Sequence, residues 1–180
     1  MKRPEDTEDK AAWCAWGEEQ ELLFLSQQWR FFDGREPFSE NPDKLHDKRA
    51  IDFVYRDGLA DLKCQDTPFF MARKHYDVDP QFAASFNDKD LEHYAGARPI
   101  VIFWLRWKDK LEGYGIRVRP MEGVFILDYE ELDVAAAETV PHVYERRRND
   151  MLGNGKASYV INVKEHAKWA WIDWKGEEYA

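Results

Sequence analysis

"AIDFVYRDGLADLKCQ", residues 50–65, decides how the rest of the chain is read. Two runs of β-forming residues flank Asp57-Gly58. Asp-Gly in that position is a strong signal for a two-residue hairpin, because a type I′ turn needs positive φ at both loop residues. With Asp57-Gly58 as the loop, Arg56 pairs with Leu59, Val54 with Asp61 and Asp52 with Lys63. Alternation along each strand then sets Asp52, Val54, Arg56, Leu59, Asp61, Lys63 and Gln65 on one face. Ile51, Phe53, Tyr55, Ala60, Leu62 and Cys64 take the other. The second face is apolar and suited to a core. The first gathers two carboxylates and an ammonium. Directly opposed side chains lie ~5 Å apart and diagonal ones ~7 Å. At that spacing two carboxylates can share a divalent cation through oxygen. Lys63 stands where it could orient a water or offset developing negative charge. A one-residue slip would send every side chain of one strand to the opposite face.

Outward from the hairpin, the chain alternates helical and extended patterns. Residues from about Ala11 to Trp29 favour helix, with Trp13, Trp16, Leu22, Leu25 and Trp29 spaced as a buried stripe. "FFDGREPFSENPDK" reads as loop. Pro68 and Pro80 break any long element between 66 and 86. "DKDLEHYAGA" reads as a helix capped by Asn87 or Asp88 and ending near Gly96. "PIVIFWLRW" is a strand covered on both faces. "GVFILDYEEL" is a second apolar strand, leading into the helix-prone "DVAAAE". "ASYVINV" is a final strand, and "KEHAKWAWIDWK" a closing helix in which Trp171 and Trp174 share a core face. The expected architecture is α/β (α+β): a mixed central sheet flanked by helices.

Composition narrows the function classes. The chain has 180 residues, 44% of them hydrophobic, which fits one domain over 11–180 preceded by a flexible arm over 1–10. A formal charge of −9 excludes a bulk nucleic-acid coat, since phosphate neutralisation needs surplus Lys and Arg. It leaves room for a nucleic-acid enzyme with a local basic groove or a bound metal. Only Cys14 and Cys64 occur, too few for a disulfide framework or a structural zinc set. The polar, acidic "MKRPEDTEDK" is not a signal peptide, and the longest apolar run, Ile100 to Leu105, is too short to span a bilayer. A cytoplasmic protein is expected.

Asp52 followed by Asp61-Leu62-Lys63 on a strand pair, downstream of the acidic helix "WGEEQELLFLSQQW", resembles the PD-(D/E)XK nuclease superfamily, whose core is restriction-endonuclease-like. The later helix and the buried strand "PIVIFWLRW" match the order of that fold. The resemblance implies a metal-dependent endonuclease or exonuclease, hydrolysing phosphodiester bonds in DNA more than in RNA. Asp52 and Asp61 would ligate Mg²⁺, for which Mn²⁺ can substitute, helped by the carbonyl of Leu62. Glu21, or alternatively Glu18 one turn earlier, would complete the metal shell. Lys63 would position the attacking water, and Gln65 on the same face could touch the phosphate. By analogy a homodimer is implied as well. Two positions depart from the commoner pattern: Ile51 replaces Pro before the first acid, and the second acid is Asp61 rather than Glu. The bare acid-x-Lys pattern occurs three times, at Glu8-Asp9-Lys10, Asp61-Leu62-Lys63 and Asp173-Trp174-Lys175. Only the middle one combines a β context with a partner Asp.

Other residues extend this reading. Arg146, Arg147, Arg148 and Lys156 gather around Gly153 and Gly155 and could bind phosphates. The five histidines form no metal-spaced pair. The competing reading is a non-catalytic acidic interaction protein: an inactive nuclease fold, or a nucleic-acid mimic that binds a protein partner. A mimic needs carboxylates spread in rows, whereas a nuclease needs a few converging in one cleft.

Overall fold

The computed structural model describes residue 4 and residues 9–142 and 157–175. Its elements are α1 (Lys10–Phe31), β1 (Phe38–Glu40), a 3-10 turn (Pro42–Leu45), β2 (Phe53–Tyr55), β3 (Gly58–Gln65), α2 (Ala72–Tyr76), β4 (Ala83–Asn87), α3 (Asp88–Ala97), β5 (Ile100–Trp107), β6 (Glu112–Gly113), β7 (Ile116–Arg117), β8 (Met121–Leu127), α4 (Tyr129–Ala137), β9 (Ser158–Asn162), α5 (Val163–His166) and β10 (Trp169–Trp174). Six strands form one sheet in the order β1-β2-β3-β5-β8-β10. The β3–β5 pair is parallel and its neighbours are antiparallel, so the sheet is mixed, as expected. Two parallel strands cannot be joined by a tight turn. The chain between β3 and β5 therefore crosses over through α2, β4 and α3.

β5 explains the layering. Val101, Phe103, Leu105 and Trp107 point into one core, Ile102 and Trp104 into the other, and all are buried. On the first side lie Phe86 of β4, Tyr94 of α3, Leu132 of α4 and Ile161 of β9. On the second side α1 covers the sheet with Phe24 and Phe31. β4 and β9 pair with each other in a separate two-stranded sheet.

α1 starts where Asp9 accepts a hydrogen bond from the Ala12 amide at 3.0 Å, which satisfies one of the unpaired first-turn N–H groups. Its buried stripe differs from the expected one. Leu22 and Trp29 are 59% and 52% exposed, while Trp16, Gln20, Phe24, Gln28 and Phe31 are buried. Two glutamines thus take stripe positions, and Gln28 shows why. Its amide donates to the Phe38 carbonyl and accepts from the Phe38 N–H, both at 2.9 Å, so it acts as a backbone partner for β1.

The hairpin forms, with a shifted loop. Tyr55 pairs with Gly58, Val54 with Leu59 and Phe53 with Ala60, which makes Arg56-Asp57 the loop. Arg56 takes the left-handed conformation, φ +52°, that the Asp-Gly pattern had assigned further along. The slip is two residues along the ladder, so each strand residue keeps its expected face. Ile51, just outside β2, is the exception: it packs on the opposite side from Phe53.

Two further expectations are corrected. The loop after α1 contains β1 and the 3-10 turn. The closing helix is instead the single turn α5 followed by strand β10, paired along its length with β8. Trp169 and Trp171 then share the α1 side, against Phe32 and Phe31, while Trp174 faces Phe82. Asp173-Trp174-Lys175 therefore reaches strand too, but its acid and lysine pair with each other at the surface.

Candidate functional site

The site arises where two strands part. β2 is three residues long, and its ladder with β3 ends at the Phe53–Ala60 pair. β3 runs on for five more residues. Asp52 turns out of the strand direction there, and its Oδ2 accepts the Leu62 N–H at 2.9 Å. That bond closes the gap with a carboxylate where a backbone carbonyl would otherwise be needed, because a buried N–H must find an acceptor.

Four further side chains reach the same opening. Glu21 approaches from α1. Lys44, on the 3-10 turn, donates to Asp52 Oδ1 at 2.7 Å and also to Glu21 Oε2. Asp61 and Lys63, on β3, lie on the face away from α1, and Lys63 Nζ sits 2.9 Å from Asp61 Oδ2 and 2.7 Å from Asp90 Oδ2 of α3. The Lys63 ammonium also lies over the Tyr94 and Phe86 rings, 5.5 and 5.8 Å from their centroids. Asp52 and Lys63, expected to face each other, have separate partners because the register is shifted. Glu21 rather than Glu18 is the helix acid at this place: Glu18 makes only a 3.9 Å contact with the exposed Lys48.

Burial sets the protonation chemistry. Desolvation first, then the charge of Asp52, raises the Glu21 carboxyl from 4.5 to about 7, with Lys44 pulling it down. Asp61 is raised as well, chiefly by desolvation, with Lys63 opposing and Asp52 adding to it. Desolvation disfavours the charged form of each lysine, yet acidic neighbours outweigh it. Lys44 is raised by Asp52 and Glu21. Lys63 is raised well above the usual lysine range by Asp61, Tyr94 and Asp90. Both lysines are therefore ammonium ions at neutral pH. Tyr94, whose hydroxyl bonds to the Asp61 carboxylate, is pushed upward by burial and stays protonated.

A cleft of about 680 Å³ opens over this place, lined among others by Trp13, Trp16, Glu21, Leu62, Lys63 and Phe69. A second of about 420 Å³ adjoins it, lined by Glu21, Lys44 and Asp52 among others. Glu21 is shared by the two.

Gln65 and Leu62 have hydrogen-bond partners other than those the sequence suggests. Gln65 borders the larger cleft, but its amide is taken: Nε2 donates to the Thr67 and Ala83 carbonyls at 3.0 and 3.3 Å, and Oε1 accepts from the Ser85 N–H at 3.0 Å. It ties β3 to β4. At Leu62 the group that meets Asp52 is the N–H rather than the carbonyl. Among the described residues, no three His, Cys, Asp or Glu side chains are grouped so as to hold a metal ion. Arg146, Arg147, Arg148 and Lys156 lie outside the described residues. Lys44, Asp90 and Tyr94 had no signal in the sequence, since each joins the site only through tertiary packing.

Neither described cysteine is in a disulfide, and no helix among the described residues is long and apolar enough to cross a membrane. Compared with known proteins, the chain matches no family model, no curated protein and no solved structure.

Proposed function

We propose that the chain is a metal-dependent nuclease of the PD-(D/E)XK kind, acting on DNA more than RNA. One observation carries this reading. Glu21 from α1, Asp52 before β2, and Asp61 with Lys63 on β3 meet where β2 and β3 part, at the edge of a cleft. The first two are joined through Lys44 and the last two directly.

The donor set suits a hard divalent cation in kind, though its carboxylates are not closed around one point. Asp61 Oδ2 is buried and accepts no well-oriented hydrogen bond, although Lys63 Nζ is near it. Glu21 is raised because burial and Asp52 leave it short of positive charge. Asp52 and Asp61 would hold Mg²⁺, with Glu21 beside them. When bound, such an ion lowers the pKa of a coordinated water and offsets charge on the leaving oxygen. Lys63, always protonated here, is a hydrogen-bond donor and not a base. Asp61 and Asp90 hold its ammonium at the floor of the cleft, where it can donate to a water or a phosphate oxygen.

A second reading rests on the same lysines: Lys44 and Lys63 already neutralise the acids, as in an inactive nuclease fold kept for binding a protein partner. One experiment separates the two. Wild type and Asp61→Asn are titrated with Mn²⁺ and Mg²⁺ by calorimetry and incubated with supercoiled plasmid and single-stranded DNA. The nuclease reading expects nicking by wild type and a loss of at least about a hundredfold in Asp61→Asn, roughly 2.7 kcal/mol of barrier. Equal behaviour of the two proteins, with no cleavage, favours the non-catalytic reading.

A further inference from the structure

Lys44 stands on the 3-10 turn between β1 and β2, and that turn is fixed in place. The buried Asn41 accepts from the Asp43 N–H at 3.1 Å and donates from Nδ2 to the Ile51 carbonyl at 2.8 Å, while its own N–H donates to the Asp52 carbonyl at 3.0 Å. The turn is thus bonded to the backbone that carries Asp52. Lys44 is not a surface lysine free to sample solvent: its side chain is 14% exposed, and its ammonium bonds to carboxylates from two different elements. Charge-assisted bonds of this kind, shielded from water, are the strong class.

We propose that Lys44 is a tethered cation that fills the gap between Glu21 and Asp52 until a divalent ion displaces it, and so sets the ion affinity of the site. The identity of the displacing ion rests on the nuclease reading. The physical argument is one of competition. Crowded, desolvated carboxylates need positive charge nearby. In the metal-free protein Lys44 supplies it. An incoming ion must break two charge-assisted bonds and return the ammonium to solvent, which lowers its net affinity. Removing the ammonium takes away the cation that Glu21 and Asp52 share, so the metal-free protein is less stable and binds the ion more tightly. An arginine at this position keeps the competing charge.

The test uses the full chain. Mn²⁺ is titrated by calorimetry into wild type, Lys44→Met and Lys44→Arg. Tm is recorded in EDTA and in Mn²⁺, and the same preparations are assayed for DNA nicking. Lys44→Met is expected to bind Mn²⁺ at least tenfold more tightly than wild type and to gain more in Tm from the ion, with Lys44→Arg no tighter than wild type. Equal or weaker binding by Lys44→Met overturns the proposal. If that variant does not fold, lysine acylation of wild type, mapped by mass spectrometry, replaces it. Mn²⁺ should raise the labelling rate of Lys44 at least fivefold and leave the exposed Lys48 unchanged; an unchanged Lys44 rate overturns the proposal. Tighter ion binding by Lys44→Met without nicking by any protein supports the role of Lys44 and removes the nuclease reading. Nicking by wild type with no difference in ion affinity does the reverse.

Discussion

Glu21 carries a pH dependence whose sign can be worked out. Its folded value of about 7 lies above its ordinary 4.5, so between those limits the folded chain holds a proton that the unfolded chain has released. Unfolding then sheds protons, and stability falls as pH rises through that window. Asp61, also raised by burial, tilts the curve the same way from its own ordinary value upward. The charged groups facing Glu21 are Asp52 and Lys44; Lys44 and Lys63, both raised above 10.5, remain charged throughout and add no slope. Metal-free protein is therefore expected to lose stability between pH 5 and pH 7.5, with Glu21→Gln flattening the loss by roughly 2 kcal/mol after allowance for solvent screening. Denaturant melts of the two proteins at several pH values check this, and a wild-type curve that is flat or rises with pH would contradict it. At this scale the sequence showed part of the site. Asp52, Asp61 and Lys63 stood out because charged residues are rare on a strand face beside an apolar one. Lys44 and Asp90 did not, since each reaches the site through a turn or helix whose placement depends on distant contacts.

Elements were legible where one periodicity dominated, and misread where a polar residue did a backbone's work. β5 and α3 follow their patterns, but α1 shows the failure: its hydrophobic Leu22 and Trp29 face solvent while Gln20 and Gln28 are buried. Gln28 replaces backbone pairing for Phe38, so Gln28→Ala strands a buried N–H and a buried C=O together. A loss of about 2–4 kcal/mol follows, measurable by chemical denaturation, whereas an exposed-face change such as Gln27→Ala should stay within about 0.5 kcal/mol. β10 was misread as a helix because Trp171 and Trp174 fit a helical face, although Trp169 and Trp171 also fit the strand period of two. In the hairpin, Arg56 rather than Gly58 takes positive φ. Arg56→Gly relieves a left-handed non-glycine residue and gives up the stacking of the guanidinium on Tyr55, whose ring centroid lies 5.0 Å away. The relief, on the order of 1 kcal/mol, is expected to equal or exceed the exposed stacking contribution. The variant should be as stable as wild type or slightly more so, and a loss above 1 kcal/mol would show that the Arg56–Tyr55 contact matters more than the backbone.

Across the whole molecule, charge is the constraint that the site must satisfy. With 35 acidic against 26 basic residues, the chain repels a polyanion at long range. The candidate site does not relieve this by itself, because each of its lysines is matched by at least two carboxylates: Lys44 by Glu21 and Asp52, Lys63 by Asp61 and Asp90. If the chain is a nuclease, divalent cations must contribute to holding DNA as well as to cutting it. Fluorescence anisotropy with a labelled duplex tests this, using Lys63→Ala to keep the DNA intact. Binding is expected to be at least tenfold weaker in EDTA than in millimolar Mg²⁺ at the same ionic strength, and the affinity in EDTA should show a shallow dependence on salt, because few phosphates are neutralised by side chains. Tight, steeply salt-dependent binding in EDTA would instead mean that basic side chains alone grip the backbone. The segment that carries Arg146, Arg147, Arg148 and Lys156 would then be the first place to substitute, and a charge-neutralised variant that lost both the affinity and the salt slope would assign the grip to it.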